Sequence, residues 1–116
     1  MGDERASEER FRADLGRTVD RLRSMGLARL AASFEPEPTR AYAARGVAQS
    51  LADAAAGLAG EVRRELPRLA DGALGDQLAV CGHDLLDAAS VLGDEPEVLA
   101  ALARAADQVL DLRRRI

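Results

Sequence analysis

Residues 74–93 decide the fold, and they read LGDQLAVCGHDLLDAASVLG. Their apolar side chains recur at alternating spacings of four and three residues, which is the period of one helix face. The positions concerned are Leu74, Leu78, Cys81, Leu85, Ala88 and Leu92. Gly93 then provides a residue type that often ends helices. The stretch therefore predicts one long amphipathic helix.

Two helices are predicted ahead of this stretch. The first begins near Ser7, whose hydroxyl can accept a hydrogen bond from a free main-chain amide, and it ends or bends at Gly26. A shorter helical segment follows. The next long helix is predicted from Pro38, which suits a first helical turn, to about Glu65. Pro67 ends it, because the proline ring clashes with the carbonyl four residues back.

The last helix has the clearest start signal. Asp94 is the predicted N-cap, Pro96 suits the first turn, and Glu97 completes a capping box with Asp94. A turn at Asp71-Gly72 and Gly75 precedes the central helix. Arg113, Arg114 and Arg115 close the last helix, where the helix dipole is negative.

These elements predict an all-α protein, a single-domain antiparallel helical bundle with about four main helices and no β-sheet. A chain of 116 residues has the size of one domain. The connections are short, so sequential helices are expected to lie antiparallel. Residues 1–6 are expected to form a disordered N-terminal segment, and residues 7–116 the helical bundle domain.

The composition favours helix and a GC-rich bacterial genome. There are 24 alanines and 17 leucines, and all 16 basic residues are arginine. Alanine and leucine are strong helix formers. The start of the chain lacks a signal-peptide pattern, no apolar stretch approaches the roughly 20 residues of a membrane span, and a single cysteine excludes an internal disulfide. A cytoplasmic protein with no membrane partner is the default expectation.

Charge is distributed unevenly along the chain. Residues 71–111 contain 1 arginine and 9 acidic residues, whereas residues 1–70 contain 12 and 11. Arg10, Arg17 and Arg21 share a face of the first helix, but acidic residues interleave with them. Aromatic residues for base stacking are few. We therefore interpret this face as an ion-paired surface and do not expect a nucleic-acid partner.

The residue types that could carry chemistry are few. Cys81 lies in the apolar stripe and is predicted to be core packing, because its charged neighbours are acidic and would disfavour a thiolate. His83 and Asp87 are four residues apart on a helix and are predicted to pair at the surface. Two ligands do not make a metal site. We expect no metal, no cofactor and no catalytic residues.

An interaction role is the leading functional hypothesis. The last two helices carry apolar residues off the main stripe, and wide apolar faces need several neighbours. The possible interface residues are Leu86, Val91, Val98 and Leu112. They predict a non-enzymatic protein that acts through protein–protein interaction, as a homodimer or with another protein. Arg113–Arg115 of one subunit could meet the acidic stretch of the other.

The alternative hypothesis is a helical bundle that binds a small molecule or catalyses a reaction. Its pocket would lie between helices near Tyr42, His83 and nearby arginines. The weak polar-site candidates are Tyr42, His83 and Asp87.

Overall fold

The prediction of an all-α bundle with about four main helices is confirmed. The computed structural model describes residues 2–116, with side chains from residue 6 onward. In this part of the chain, four helices are long and one is short. The helices are α1 (Gly2–Ser24), α2 (Leu27–Ala31), α3 (Arg40–Ala59), α4 (Leu74–Leu92) and α5 (Pro96–Arg115). A 3-10 turn (Asp71–Ala73) precedes α4.

The first helix begins earlier than expected. It starts at Gly2, so the predicted start near Ser7 is wrong. Met1 lies outside the described residues, and the division into a disordered segment 1–6 and a bundle domain 7–116 stays a prediction. The predicted end near Gly26 is confirmed, since Gly26 separates α1 from α2.

A small β-sheet lies between α2 and α3, so the prediction of no sheet is wrong. Strand β1 (Ser33–Phe34) pairs antiparallel with β2 (Glu37–Thr39). Pro38 belongs to β2 rather than to a helix. Thr39 caps α3 instead, because its hydroxyl oxygen accepts a hydrogen bond from the Tyr42 N–H at 3.0 Å.

Helix α3 ends at Ala59, well before the predicted end near Glu65. Gly60 adopts a left-handed main-chain conformation with φ of 70°, which residues other than glycine rarely adopt. The Glu61 N–H then donates to the Ala56 carbonyl at 2.9 Å, which caps the helix end. Residues 61–70, called the strap below, form neither helix nor strand.

The strap runs back along α3 towards the start of that helix. The Leu66 N–H donates to Gln49 Oε1 at 2.9 Å, and Arg45 donates to the Leu69 carbonyl at 3.0 Å. Arg45 also pairs with Asp71, directly ahead of α4. Helix α4 therefore begins beside the start of α3, and the two helices run parallel. The expectation that sequential helices are antiparallel is wrong for this pair, because the connection is long enough to cross back.

The four long helices form a square in section. Helix α4 packs between α3 and α1, and α5 packs between α1 and α3. Helices α1 and α4 are antiparallel, since Arg23 near the end of α1 binds Asp76 near the start of α4. Helix α5 runs parallel to α1, with Arg10 bound to Asp107 and Arg21 bound to the main-chain oxygen of Ile116.

Two glycines allow α4 to approach α1 closely. A Cβ atom on Gly75 would lie 2.7 Å from Cγ of Arg23. A Cβ atom on Gly82 would overlap the buried side chain of Leu15. Gly75 was predicted to lie in the turn but lies in α4, at its contact with α1. Gly72 does lie in the turn, within the 3-10 segment.

The ends of α4 and α5 match the sequence in part. Gly93 follows α4 with a positive φ of 75°, as predicted. Pro96 opens α5 as predicted, but the N-cap is Glu95, with no side-chain cap bond. The Val98 and Leu99 amides bond to the Glu95 carbonyl, so the helix begins one residue later than predicted. The capping box of Asp94 and Glu97 does not form, because Glu97 is then at the second helical position instead of the third.

Candidate functional site

A surface groove separates the C-terminal halves of α3 and α4 and is bordered by the strap. We call it the α3–α4 groove. Its volume is about 560 Å³. Four alanines of α3 form its floor, namely Ala52, Ala55, Ala56 and Ala59. Short side chains leave the space open, because α3 offers nothing longer than a methyl group along this line.

Both sides of the groove carry charged residues. On the α4 side lie Asp84 and Asp87, followed by Val91. On the strap side lie Glu61, Val62, Arg64 and Leu66. Val62 and Val91 are 83% and 84% exposed, so both valines are almost fully in solvent at the mouth of the groove. The groove thus combines an alanine floor and exposed valines with two carboxylates on the α4 side, and with one carboxylate and one arginine on the strap side.

Gln49 fixes the strap side of the groove in place. Its Nε2 donates to the Arg64 carbonyl at 2.9 Å and to Asp53 at 2.8 Å, while its Oε1 accepts from the Leu66 N–H. At the far end of the strap, Gln77 of α4 donates to the Pro67 carbonyl at 3.1 Å. These bonds satisfy main-chain groups that would otherwise lack partners in a segment without secondary structure.

The outward face of α4 continues the groove towards the start of the helix. Val80, Asp84, Asp87 and Val91 recur at spacings of four, three and four residues, which places them on one face. Val80 is 60% exposed. This face therefore presents two valines with two carboxylates between them.

The carboxylates of α4 and the arginine of the strap line the groove without an ion pair to any of the described side chains. Among the residues whose side chains are described, no ion pair includes Asp84, Asp87 or Arg64. Arg63, one residue earlier on the strap, binds Asp53 at 2.8 Å. Glu61 of the strap likewise has no ion pair among these residues, so the groove presents three carboxylates and one arginine.

The three polar candidates from the sequence lie in three different grooves. Asp87 lies in the α3–α4 groove. His83 lies in a shallow groove between α1 and α4, with Arg12 and Asp20. Tyr42 lies at the start of α3, beside Arg68 of the strap. The predicted pairing of His83 with Asp87 is absent from the hydrogen bonds of the described residues, and Tyr42 and His83 line different pockets.

Cys81 packs in the core, as predicted. Its side chain is buried. Burial raises the pKa of the Cys81 thiol to about 11, and the negative charge of Asp84 adds to the effect. The thiol is therefore protonated at neutral pH, which is the opposite of what a nucleophilic cysteine requires.

Three of the four predicted interface residues lie in the core of the chain. Leu86, Val98 and Leu112 are buried, because four helices and their connections enclose both sides of α4 and α5. The off-stripe positions thus contact neighbouring helices rather than solvent. Only Val91 of the predicted set is exposed.

Two of the three arginines at the end of α5 bind residues of the same chain. Arg113 binds Asp14 of α1, and Arg115 binds Glu37 of the β-sheet and Asp111. The hydrogen bond from Arg115 lowers the pKa of Glu37 below its ordinary value. The predicted meeting of this end with a second subunit is therefore not supported for these two arginines, whose charges already have partners. Arg114 is exposed.

Arginines of α1 and α2 meet the end of α5 on one surface. Arg21 and Arg29 both donate to the main-chain oxygen of Ile116, at 2.8 and 2.9 Å. Arg10 binds Asp107. The ion-paired character predicted for this face is thus seen for Arg10, while Arg17 has no ion pair among the described side chains.

The strap and its residues Val62 and Arg64 were not identified from the sequence. Val62 fits the helical spacing of α3, so periodicity placed it on that helix. The available signal was Gly60 directly ahead of a Pro-containing stretch, since glycine in the left-handed conformation ends many helices. Recognising that signal would have separated the strap from α3.

Comparisons with known proteins give no relative. No family model, no curated protein and no solved structure matches the chain. Within the residues that the structure describes, no helix is long and apolar enough to cross a membrane. The same residues contain no group of three or more His, Cys, Asp or Glu side chains placed to hold a metal ion.

Proposed function

We propose that this protein is a non-enzymatic interaction protein that self-associates through the face formed by α3, α4 and the strap. The observation that carries the proposal is the α3–α4 groove, with Val62 and Val91 exposed at its mouth. Single exposed apolar residues are common on monomers, but grouped ones often mark protein contacts. Val80 extends the same face.

This proposal revises which residues form the contact. The sequence pointed to the last two helices, and Val91 of α4 is the predicted residue that remains at the surface. Leu86, Val98 and Leu112 contribute to the stability of the single chain instead. The contact surface is thus shifted to the outer side of α3 and α4 and includes the strap.

Sedimentation velocity at micromolar concentration tests the proposal. The wild-type chain is expected to sediment as a dimer that dissociates on dilution. Val91→Asp should weaken dimerisation at least tenfold, because it places a charge where an apolar side chain is buried in the contact. Leu27→Asp is the matched control, since Leu27 is also exposed but lies on α2. A wild-type chain that stays monomeric over this range would overturn self-association.

A further inference from the structure

The strap is held on the bundle by few contacts. Among residues 61–70, only Leu66 is partly buried, and it packs against the core, while Leu69 is 38% exposed. Within the described residues, the main chain of residues 62–69 forms hydrogen bonds to side chains only. The position of the strap therefore depends on one apolar side chain and a small set of side-chain bonds.

Water can replace most of these contacts. The side chains that bind the strap main chain are Gln49, Arg45 and Gln77, and each can bind water when the strap leaves. The ion pair of Arg63 with Asp53 contributes little, since Arg63 is 70% exposed. Keeping the strap ordered also costs conformational entropy at every residue. The closed position is therefore only weakly favoured over an open one.

The helices do not need the strap to stay packed. Helices α3 and α4 contact each other directly, and α1 and α5 complete the core against them. At one end of the strap, the Glu61 N–H caps α3 at the Ala56 carbonyl. At the other end, the 3-10 turn leads into α4. Displacing residues 62–69 therefore leaves the helices and their ends unchanged.

We propose that the strap opens and closes as a unit on the folded bundle, with Leu66 as the side chain that holds it closed. Gly60 is one hinge, because it lies at the end of α3 and can change its main-chain angles more freely than other residues. The other hinge is Ala70, directly ahead of the 3-10 turn. Segments with few buried contacts open locally at a lower free energy than the whole chain unfolds.

Opening joins two grooves on one face of the molecule. Leu66 lines both the α3–α4 groove and the groove that contains Tyr42. Their volumes are about 560 and 600 Å³. With Leu66 withdrawn, they form one groove that follows α3 from Tyr42 to Ala59, which is about 25 Å of helix. The strap thus acts as a movable divider of this face.

The closed strap also belongs to the face proposed for self-association, because it carries the exposed side chain of Val62. Opening withdraws Val62 and so regulates that contact. This consequence rests on the proposed function, whereas the opening itself is a property of the single chain. The tests below therefore use the chain at dilutions at which it sediments as a monomer.

Hydrogen exchange in low concentrations of urea tests the opening. The Leu66 amide should exchange roughly a hundredfold faster than the Leu51 amide in the core of α3, at a rate that does not rise with urea below the unfolding transition. Val109→Ala destabilises the bundle at the contact of α5 with α1. It should speed exchange at Leu51 about tenfold and leave Leu66 unchanged. A Leu66 rate that rises in step with Leu51 would show that the strap opens only when the chain unfolds, and would overturn the proposal.

Trypsin shows whether the strap moves as a unit. Of the 16 arginines, Arg63, Arg64 and Arg68 lie in the strap, and the others lie in helices. The initial cuts should fall on both sides of Leu66, ahead of any cut at Arg104, which is exposed but helical. The cut chain should keep its helical circular dichroism. Initial cuts on one side of Leu66 only, or cuts at Arg104 at the same rate, would contradict the opening of the strap as a unit.

A glutamine pair supplies the matched variants. Gln49→Ala removes the bonds to the main chain at Arg64 and Leu66, so cleavage in the strap should become about fivefold faster. Gln108→Ala is the control, because Gln108 is exposed on α5, and it should leave the rate unchanged. Equal rates in both variants and the wild type would show that cleavage does not require release of these bonds, and would overturn the proposal. A wild type that stays monomeric at every concentration overturns self-association alone, since the opening is measured on the monomer.

Discussion

Arg113 of α5 binds Asp14 of α1 at two atoms of that residue. Its guanidinium donates to the main-chain oxygen at 3.2 Å and to the carboxylate at 3.1 Å. The two side chains are 21% and 11% exposed, so water screens the pair only in part. The hydroxyl of Thr18 lies 2.7 Å from the same main-chain oxygen and 3.1 Å from the Val109 carbonyl. These contacts fix the register of α5 against α1.

Removing Arg113 should destabilise the fold. Arg113→Met leaves the Asp14 carboxylate buried without its ion pair, and we expect the free energy of unfolding to fall by roughly 2 kcal/mol. Arg114→Met is the control, because Arg114 is exposed, and it should change stability by less than about 0.5 kcal/mol. Urea denaturation measures both. Equal effects of the two substitutions would show that the pair contributes nothing beyond a surface charge.

The contact between α1 and α4 should be sensitive to a single methyl group. Gly82→Ala puts a methyl group into the buried side chain of Leu15, and we expect a loss of roughly 1–3 kcal/mol despite the higher helix propensity of alanine. Gly16→Ala is the opposite case, because no atom lies within 4 Å of the added Cβ. It should stabilise α1 by roughly 0.5–1 kcal/mol. Thermal denaturation distinguishes the expected destabilisation by Gly82→Ala from the expected stabilisation by Gly16→Ala. A stabilised Gly82→Ala variant would contradict the close approach of α4 to α1.

The buried thiol of Cys81 predicts a loss of stability at high pH. Its pKa rises from 9.0 to about 11 on folding, so the unfolded chain releases the proton first. The buried, protonated thiol therefore contributes fully to the free energy of unfolding below pH 9, and this contribution is lost as the pH rises towards 11. Over this range the wild type should lose roughly 2 kcal/mol more than Cys81→Ala, in urea denaturation. Parallel pH profiles of the two proteins would contradict a buried thiol, as would rapid labelling of native Cys81 by thiol reagents.

Periodicity predicted the helices well but not the path between them. The stripe from Leu74 to Leu92 gave α4 its bounds, because each position of the pattern reports burial on one face. The end of α3 was missed because Val62 and Leu66 fit helical spacing, whereas the helix ends where Gly60 takes a left-handed conformation. Periodicity records which residues are apolar and not whether the main chain between them remains helical.

The candidate site depends on the same missed segment. Whether two sequential helices run parallel or antiparallel depends on the length of their connection, and that length was misjudged when the strap was assigned to α3. The burial of Leu86, Val98 and Leu112 could not be read from one helix alone. Their exposure depends on how many neighbours surround α4 and α5, which is a property of the assembled bundle.

The parallel pairing of α1 with α5 has a consequence for synthesis of the chain. The contacts between Asp14 and Arg113 join residues 99 positions apart, and α5 leaves the ribosome after the other four helices. Helices α1, α3 and α4 can associate earlier, but the side of α1 that carries Thr18 stays uncovered until α5 arrives. The nascent chain therefore exposes part of its interior until α5 has been synthesised, and this makes α5 the segment whose delayed arrival would favour chaperone binding or aggregation.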